Sequence, residues 1–111
     1  MRSDKLKHYL LNETFAVESS VADKWVDFVN EHCISLIKDN DYCKSHVFSQ
    51  VMHGDNEGAL SFALQIVFNS EEEMLRYNQL ISPKIIQKIS STFAGQFASF
   101  KTVMQILNSS D

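Results

Sequence analysis

The chain has 111 residues, of which 44% are hydrophobic and 22% charged, an ordinary composition for a globular protein. This length predicts a single domain spanning residues 1–111 with one core. Fourteen acidic residues against ten basic ones give a formal net charge of −4, and no basic run occurs, so nucleic acid is disfavoured as a partner. No apolar run approaches the roughly 20 residues of a membrane span, and no signal-peptide core is recognisable. The sequence therefore predicts a cytoplasmic protein with no nucleic-acid and no membrane partner.

The first predicted element is a strand over residues 6–17, in which Tyr9, Leu11 and Phe15 form one apolar face. Glu13 interrupts that face. The preferred interpretation is a rim or edge position where the carboxylate reaches water. The alternative is a buried carboxylate with a raised pKa.

A helix is predicted next, beginning at Ser19 and Ser20, with Ser20 and Asp23 as a variant of the capping box. Apolar side chains recur at helical spacing and predict one buried stripe, made of Val21, Trp25, Phe28, Val29, His32 and Leu36. An imidazole in a buried stripe must form hydrogen bonds. His32 is therefore interpreted first as a structural histidine and second as a ligand-binding residue.

Two strands follow. Residues 42–52 alternate weakly, with mixed character on both faces, which is typical of a sheet edge. Residues 53–58 are rich in turn formers and predict an antiparallel hairpin. In residues 60–68 the large apolar side chains fall at every second position, which predicts a central strand facing helices: Leu60, Phe62, Leu64, Ile66 and Phe68.

A second helix is predicted to begin at Ser70, which forms a capping box with Glu73. Its buried stripe is predicted to contain Met74, Tyr77, Ile81, Ile85 and Ile89. Pro83 predicts a kink or restart near Ser82, and Gly95 a stop. Residues 97–107 alternate once more and predict the last strand.

The order strand, helix, strand, strand, helix, strand predicts an α+β, ferredoxin-like fold: a four-stranded antiparallel sheet with both helices on one face. Alternation predicts the residues of the other face to be Leu10, Asn12, Thr14, Ala16, His46, Phe48, Gln50, Ser61, Ala63, Gln65, Val67, Phe97, Ser99, Lys101, Val103, Gln105 and Leu107. That face is too apolar to be left to water and too polar for a sealed core. A second copy of the chain, burying ~800 Å² per partner, would cover it, so a homodimer is predicted.

Two motifs carry a resemblance to a known family. They are Trp25-x-x-Phe28-x-x-x-His32 in the first helix and Phe93-Ala-Gly-x-Phe97-x-x-Phe100-x-Thr102-Val at the end of the chain. With the order of elements, they resemble a short bacterial family of unknown function. That family is similar to the dimeric α+β-barrel superfamily, which includes antibiotic-biosynthesis mono-oxygenases, haem-degrading mono-oxygenases and stress-responsive barrel proteins. The resemblance covers residues 9–108 and implies that two sheets pair as a barrel.

The resemblance also bears on cofactors. Haem-degrading members use an asparagine on the first strand, a tryptophan on the third strand and an iron-binding histidine on the second helix. Asn12 matches the first of these. The third strand has no tryptophan, and no histidine occurs between Ser70 and Gly95, so haem degradation is not expected. The four histidines and two cysteines lack the paired spacing of a metal site. No metal and no cofactor are predicted.

The candidate ligand-binding residues are Asn12, His46, Gln65 and Lys101 on the uncovered face, with His32 as a further candidate. The leading hypothesis is a homodimeric barrel that is non-catalytic or binds a small ligand. In this hypothesis the polar side chains either hydrogen-bond across the dimer interface or orient a ligand. The alternative is a cofactor-independent mono-oxygenase or isomerase acting on a small aromatic or polyketide-like molecule. A third possibility is an interaction module that pairs through an exposed strand edge.

Overall fold

The computed structural model describes residues 8–52 and 58–110 and contains four strands and two helical stretches. The elements in chain order are β1 (His8–Glu18), a 3₁₀ turn (Ser19–Val21), α1 (Ala22–Phe28), a π-helical segment (Val29–Cys33), α2 (Ile34–Lys38), β2 (Cys43–Gln50), β3 (Ala59–Phe68), α3 (Glu71–Leu80), α4 (Ser82–Phe93) and β4 (Phe97–Ile106). This order confirms the predicted one. Of the predicted hairpin loop, residues 53–57 lie outside the described residues.

The four strands form one antiparallel sheet in the order β2-β3-β1-β4. The two central strands are therefore β1 and β3, as expected for the ferredoxin-like arrangement. Asn12 stands opposite Gln65 in the β1–β3 ladder, and Glu13 stands opposite Lys101 in the β1–β4 ladder. These pairs determine which side chains share a face.

The core lies between the sheet and the helices, and Trp25 is its largest fully buried side chain. Its ring centroid is 5.0 Å from that of Phe62, 5.1 Å from that of Phe15 and 5.8 Å from that of Phe48. Aromatic side chains from α1 and from β1, β2 and β3 thus fill the space beneath the first helix. The indole Nε1 has no hydrogen-bond partner among the described residues, so Trp25 acts there through packing.

The first helical stretch differs from its prediction. Ser20 lies in the 3₁₀ turn, and α1 begins after Val21 without a side-chain cap, so the predicted capping box is wrong. The buried residues of the helix are Ala22, Trp25, Val29, Cys33 and Ile37. The π-helical segment is the reason for the altered stripe. In an α-helix, positions four residues apart rotate steadily around the helix axis. The wider π-helical turn compensates for this rotation, so such positions stay on the core side.

The second helical stretch confirms its prediction. The Ser70 hydroxyl accepts a hydrogen bond from the Glu73 amide at 3.1 Å, which caps α3. Met74, Tyr77, Ile85 and Ile89 are buried, and Ile81 is half-buried against the same core. The helix breaks after Leu80 and restarts at Ser82, with Pro83 in the first turn of α4. Gly95 follows the end of α4 with a φ of +79°, a conformation that glycine adopts without steric cost.

A β-bulge in β2 reverses the predicted faces of that strand. Cys43 pairs with Phe68, yet Ser45 pairs with Val67, so β2 advances two residues where β3 advances one. Beyond the bulge, the even-numbered residues His46, Phe48 and Gln50 lie on the helix side. The prediction that His46, Phe48 and Gln50 belong to the uncovered face is therefore wrong.

The predicted faces of β4 are also reversed. Val17 pairs with Phe97, Phe15 with Ser99 and Leu11 with Val103, which puts the odd-numbered residues of β4 on the helix side. The ring of Phe97 lies 6.2 Å from that of Phe15 in the core. The prediction that Phe97, Ser99, Lys101, Val103 and Gln105 lie on the uncovered face is wrong. Most of β4 is exposed, so its pattern carries little information about faces.

Candidate functional site

The side of the sheet away from the helices, here called the open face, is a broad and partly apolar surface. Its side chains are Leu10, Asn12, Thr14 and Ala16 from β1, Ser45, Val47 and Ser49 from β2, Ser61, Ala63, Gln65 and Val67 from β3, and Ala98, Phe100, Thr102 and Met104 from β4. Phe100 is 64% exposed, Val47 56% and Met104 41%. Large apolar side chains on β2 and β4 are thus exposed on either side of a polar centre on the two middle strands.

Asn12 and Gln65 form that polar centre. They are paired across β1 and β3, and Thr102 stands opposite Asn12 on β4. The Asn12 Nδ2 donates a hydrogen bond to the Thr14 Oγ1 at 2.9 Å, which orients the amide. Both amide side chains are half-buried. The centre can donate and accept hydrogen bonds, but it carries no charge.

Two of the candidate site residues lie on the opposite side of the sheet. His46 stands beside Ile66 on the helix side of β2. Lys101 stands beside Glu13 on the helix side of β4, and its Nζ donates a hydrogen bond to the Asn78 Oδ1 at 2.6 Å. The structure therefore brings Asn12 and Gln65 together and separates them from His46 and Lys101. The prediction that all four share one face is wrong.

Glu13 is a buried carboxyl group. Only 3% of it is exposed, because β1 is a central strand and the helices cover this side. Burial raises the pKa of Glu13, and the Lys101 charge and a hydrogen bond with Ser99 partly oppose that rise. The preferred interpretation of Glu13 as a rim residue is wrong, and the alternative of a buried carboxylate is correct.

His32 lies outside the core and outside the open face. Its ring is tilted by 49° against that of Phe28 with 4.8 Å between centroids, and its Nε2 is 3.9 Å from a Glu31 carboxylate oxygen. About half of the His32 side chain is exposed. The predicted place of His32 in the buried stripe is wrong, because the π-helical segment turns Cys33 toward the core instead.

The two cysteines are free thiols, Cys33 buried and Cys43 half-buried. Burial raises the pKa of Cys33 to about 11, with a smaller opposing effect from Lys88. Burial also raises the pKa of Cys43. Within residues 8–52 and 58–110, no group of three or more His, Cys, Asp or Glu side chains is placed to hold a metal ion.

A groove of about 490 Å³ lies on the helix layer, between α1 and the end of α4. Phe28 and Phe93 meet there edge to face, with ring centroids 5.6 Å apart. Lys24 lines this groove together with Asp27 and Glu31. Because this lining mixes charges of both signs, it favours neither an anionic nor a cationic ligand.

One charge pair would have corrected the predicted face of β4. Glu13 and Lys101 stand opposite each other, and opposite charges paired across two strands stabilise a sheet. If Glu13 and Lys101 are paired across β1 and β4, Lys101 falls on the helix side and its neighbour Phe100 on the open face. For β2 we find no such signal, because nothing in residues 42–50 predicts the bulge.

The fold is that of the ferredoxin-like proteins related to antibiotic-biosynthesis mono-oxygenases. A candidate antibiotic-biosynthesis mono-oxygenase from Deinococcus radiodurans superposes with a TM-score of 0.69 at 12% identity, covering 93% of this chain and 96% of that one. A variant of SnoaB, a cofactor-independent oxygenase from Streptomyces nogalater, superposes with a TM-score of 0.65 at 12% identity, covering 92% and 95%. A dimeric ferredoxin-like protein from an uncultured marine organism gives 0.64 at 6% identity, covering 93% and 98%.

The chain itself belongs to the family described as domain of unknown function DUF4286, whose model matches residues 8–107. A comparison with curated proteins finds no match. None of the helices in the described part of the chain is long and apolar enough to cross a membrane.

Proposed function

We propose that this chain forms a homodimer through the open face, and that the space between the two sheets binds a small molecule beside Asn12 and Gln65. The observation that carries this proposal is the composition of the open face. Phe100, Val47 and Met104 are exposed around a polar centre. An apolar surface of this kind on a globular protein marks an interaction site.

A second copy of the chain is the occupant that the fold favours. A similar solved structure is described as a dimeric ferredoxin-like protein. Packing two open faces together would bury ~800 Å² per partner in a standard-size interface. The amides of Asn12 and Gln65 would then be enclosed, and each must find a hydrogen-bond partner in the second copy or in a ligand.

The chemistry at the centre of the open face favours binding over catalysis. General acid–base catalysis needs a titratable group near the substrate. At the centre, this chain offers the amides of Asn12 and Gln65 and the hydroxyls of Thr14 and Thr102. His46 and Lys101, the two titratable residues among the ligand-binding candidates, lie on the other side of the sheet. The mono-oxygenase or isomerase alternative therefore has less support from this chain's own residues.

The dimer is tested by replacing Phe100 with Asp, which would bury a charge in the interface. We expect sedimentation equilibrium to show a dimer for the native chain and at least about tenfold weaker association for Phe100→Asp, because an unpaired buried charge is costly. Leu75→Asp is the matched control, since Leu75 is an exposed apolar residue on α3. A native monomer at tens of micromolar, or equal weakening by both substitutions, would refute this interface.

A further inference from the structure

One end of the open face contains a cleft of about 140 Å³ to which all four strands contribute. Its lining includes two apolar residues, Val67 and Ile106, and two basic residues, His8 and Lys44. The remaining lining consists of three serines, Ser45, Ser109 and Ser110. Ser109 and Ser110 follow β4, so the end of the described chain forms one wall of the cleft.

The β-bulge in β2 is what brings Lys44 into this cleft. In regular β-structure, neighbouring residues point to opposite faces of the sheet. Here Lys44 is the extra residue between Cys43, on the helix side, and Ser45, on the open face. Lys44 and Ser45 therefore both line the cleft although they are adjacent in sequence. Bulges are over-represented next to active sites, where they re-aim side chains in this way.

The cleft differs in charge from the protein as a whole. The chain carries a formal net charge of −4, yet the described residues around the cleft include a lysine, a histidine and three hydroxyl groups, and no carboxylate. Ammonium and hydroxyl groups are hydrogen-bond donors. Such a lining matches an oxyanion, which needs several donors and a compensating charge.

We propose that this cleft binds the carboxylate or phosphate group of the small ligand of the barrel, with Lys44 as its principal charge partner. The inference rests on the proposed function, because the rest of the ligand would lie on the open face. It names the class of ligand as an organic anion with an apolar body. The small volume of the cleft suits one charged group, since sites for whole ligands measure about 300–1,000 Å³.

The position of the cleft fits a ligand whose charged group lies in the cleft and whose apolar body lies on the open face. Val67, which lines the cleft, lies two residues after Gln65 along β3. Two residues of a strand span about 7 Å. A two-ring aromatic body would therefore reach from the cleft to the polar centre formed by Asn12 and Gln65.

The test uses three probes with the same aromatic body and different head groups: 2-naphthoate, 2-naphthylmethanol and 2-naphthylmethylammonium. Calorimetry at low salt should show 2-naphthoate binding at least about tenfold more tightly than the neutral alcohol, and the ammonium compound more weakly than either. Inorganic phosphate should compete with 2-naphthoate. Amide chemical-shift mapping should place the head group at residues 44, 45 and 67.

Lys44→Met should reduce the affinity for 2-naphthoate to that for the alcohol and leave the alcohol unaffected. Lys84→Met, which removes an exposed lysine from α4, is the matched control and should change nothing. Equal binding of all three probes, no binding of any, or an equal effect of both substitutions would overturn the inference. Sedimentation of the same samples separates the two proposals. A monomer that still prefers 2-naphthoate through Lys44 overturns only the barrel, and a dimer without that preference overturns only the anion site.

Discussion

At the scale of single residues, Glu13 places a carboxyl group in the core between the sheet and the helices. Its neighbours on the helix side include Lys101 and Ser99 on β4, which reduce but do not cancel the effect of burial on its pKa. The same position brings Glu13 near Tyr77, whose own pKa is raised mainly by burial and also by this carboxylate. A charged carboxylate here therefore opposes folding.

The direction of the pH dependence follows from the raised pKa. Below the ordinary glutamate pKa of 4.5, Glu13 is protonated in both the folded and the unfolded chain, and no charge is buried. As the pH rises from 4.5 through the raised pKa, the unfolded chain ionises first, so the free energy of unfolding contributed by this residue falls. Once the pH exceeds the raised pKa, Glu13 is ionised in both the folded and the unfolded chain, and the free energy of unfolding falls no further.

Glu13→Gln should therefore increase the free energy of unfolding at neutral pH by about 1 kcal/mol, the usual scale of a single substitution. The gain should shrink as the pH is lowered and vanish below the ordinary glutamate pKa. Urea denaturation at a series of pH values measures this. Glu18→Gln, at the exposed end of the same strand, is the control and should show no such dependence. A loss of stability at neutral pH in Glu13→Gln would mean that the attraction to Lys101 outweighs burial.

At the scale of elements, Asn40 joins the end of the first helical stretch to the start of β2. Its Nδ2 donates to the carbonyl oxygens of Leu36 at 2.7 Å and Ile37 at 2.9 Å. Its Oδ1 accepts from the amides of Tyr42 at 2.8 Å and Cys43 at 3.2 Å. One side chain thus satisfies backbone groups at a helix end, which lack partners within the helix, and positions the strand that carries the bulge.

Asn40→Ala should lower the free energy of unfolding by ~1–2 kcal/mol, because several hydrogen bonds are lost at a partly buried position. Asn40→Asp retains the oxygen that accepts from Tyr42 and Cys43 but sets a carboxylate oxygen against the carbonyl oxygens of Leu36 and Ile37 at the negative end of the helix, so its cost should be at least as large. Chemical denaturation compares the two variants. Asn30→Ala, an exposed asparagine in the π-helical segment, should be nearly neutral. If Asn40→Ala were equally neutral, water would be replacing all four hydrogen bonds.

At the scale of the whole molecule, one layer of helices leaves half of the sheet uncovered. The helix side buries aromatic side chains from both layers, whereas the open face exposes Phe100 and Val47. A homodimer would link folding to association, since the folded state alone would present the complete interface. Stability would then depend on protein concentration.

The melting temperature of the native chain should therefore rise by several degrees for about a hundredfold increase in protein concentration. Phe100→Asp should remove this dependence, and Leu75→Asp should retain it. Differential scanning calorimetry over a dilution series measures the effect. A native melting temperature that is independent of concentration would count against a dimer whose interface contributes to stability.

Periodicity in the sequence determined the fold class, because strongly amphipathic elements have one way to face a core. The alternating Phe62, Leu64, Ile66 and Phe68 identified β3 as a central strand, and Ser70 and Pro83 identified the start and the break of the second helical stretch. The fold could be predicted from these elements together. Of the candidate site, only Asn12 and Gln65 were placed on their correct face, since both stand on the central strands.

The tertiary structure alone decided which faces the edge strands present. On β2 and β4 both faces are mixed in polarity and largely exposed, so alternation does not distinguish them. The bulge beside Lys44 then reverses the faces of β2, and the pairing of Glu13 with Lys101 sets those of β4. The burial of Glu13 and the exposure of His32 likewise depend on what packs against each residue. Such contacts come from parts of the chain distant in sequence, and a local pattern does not contain them.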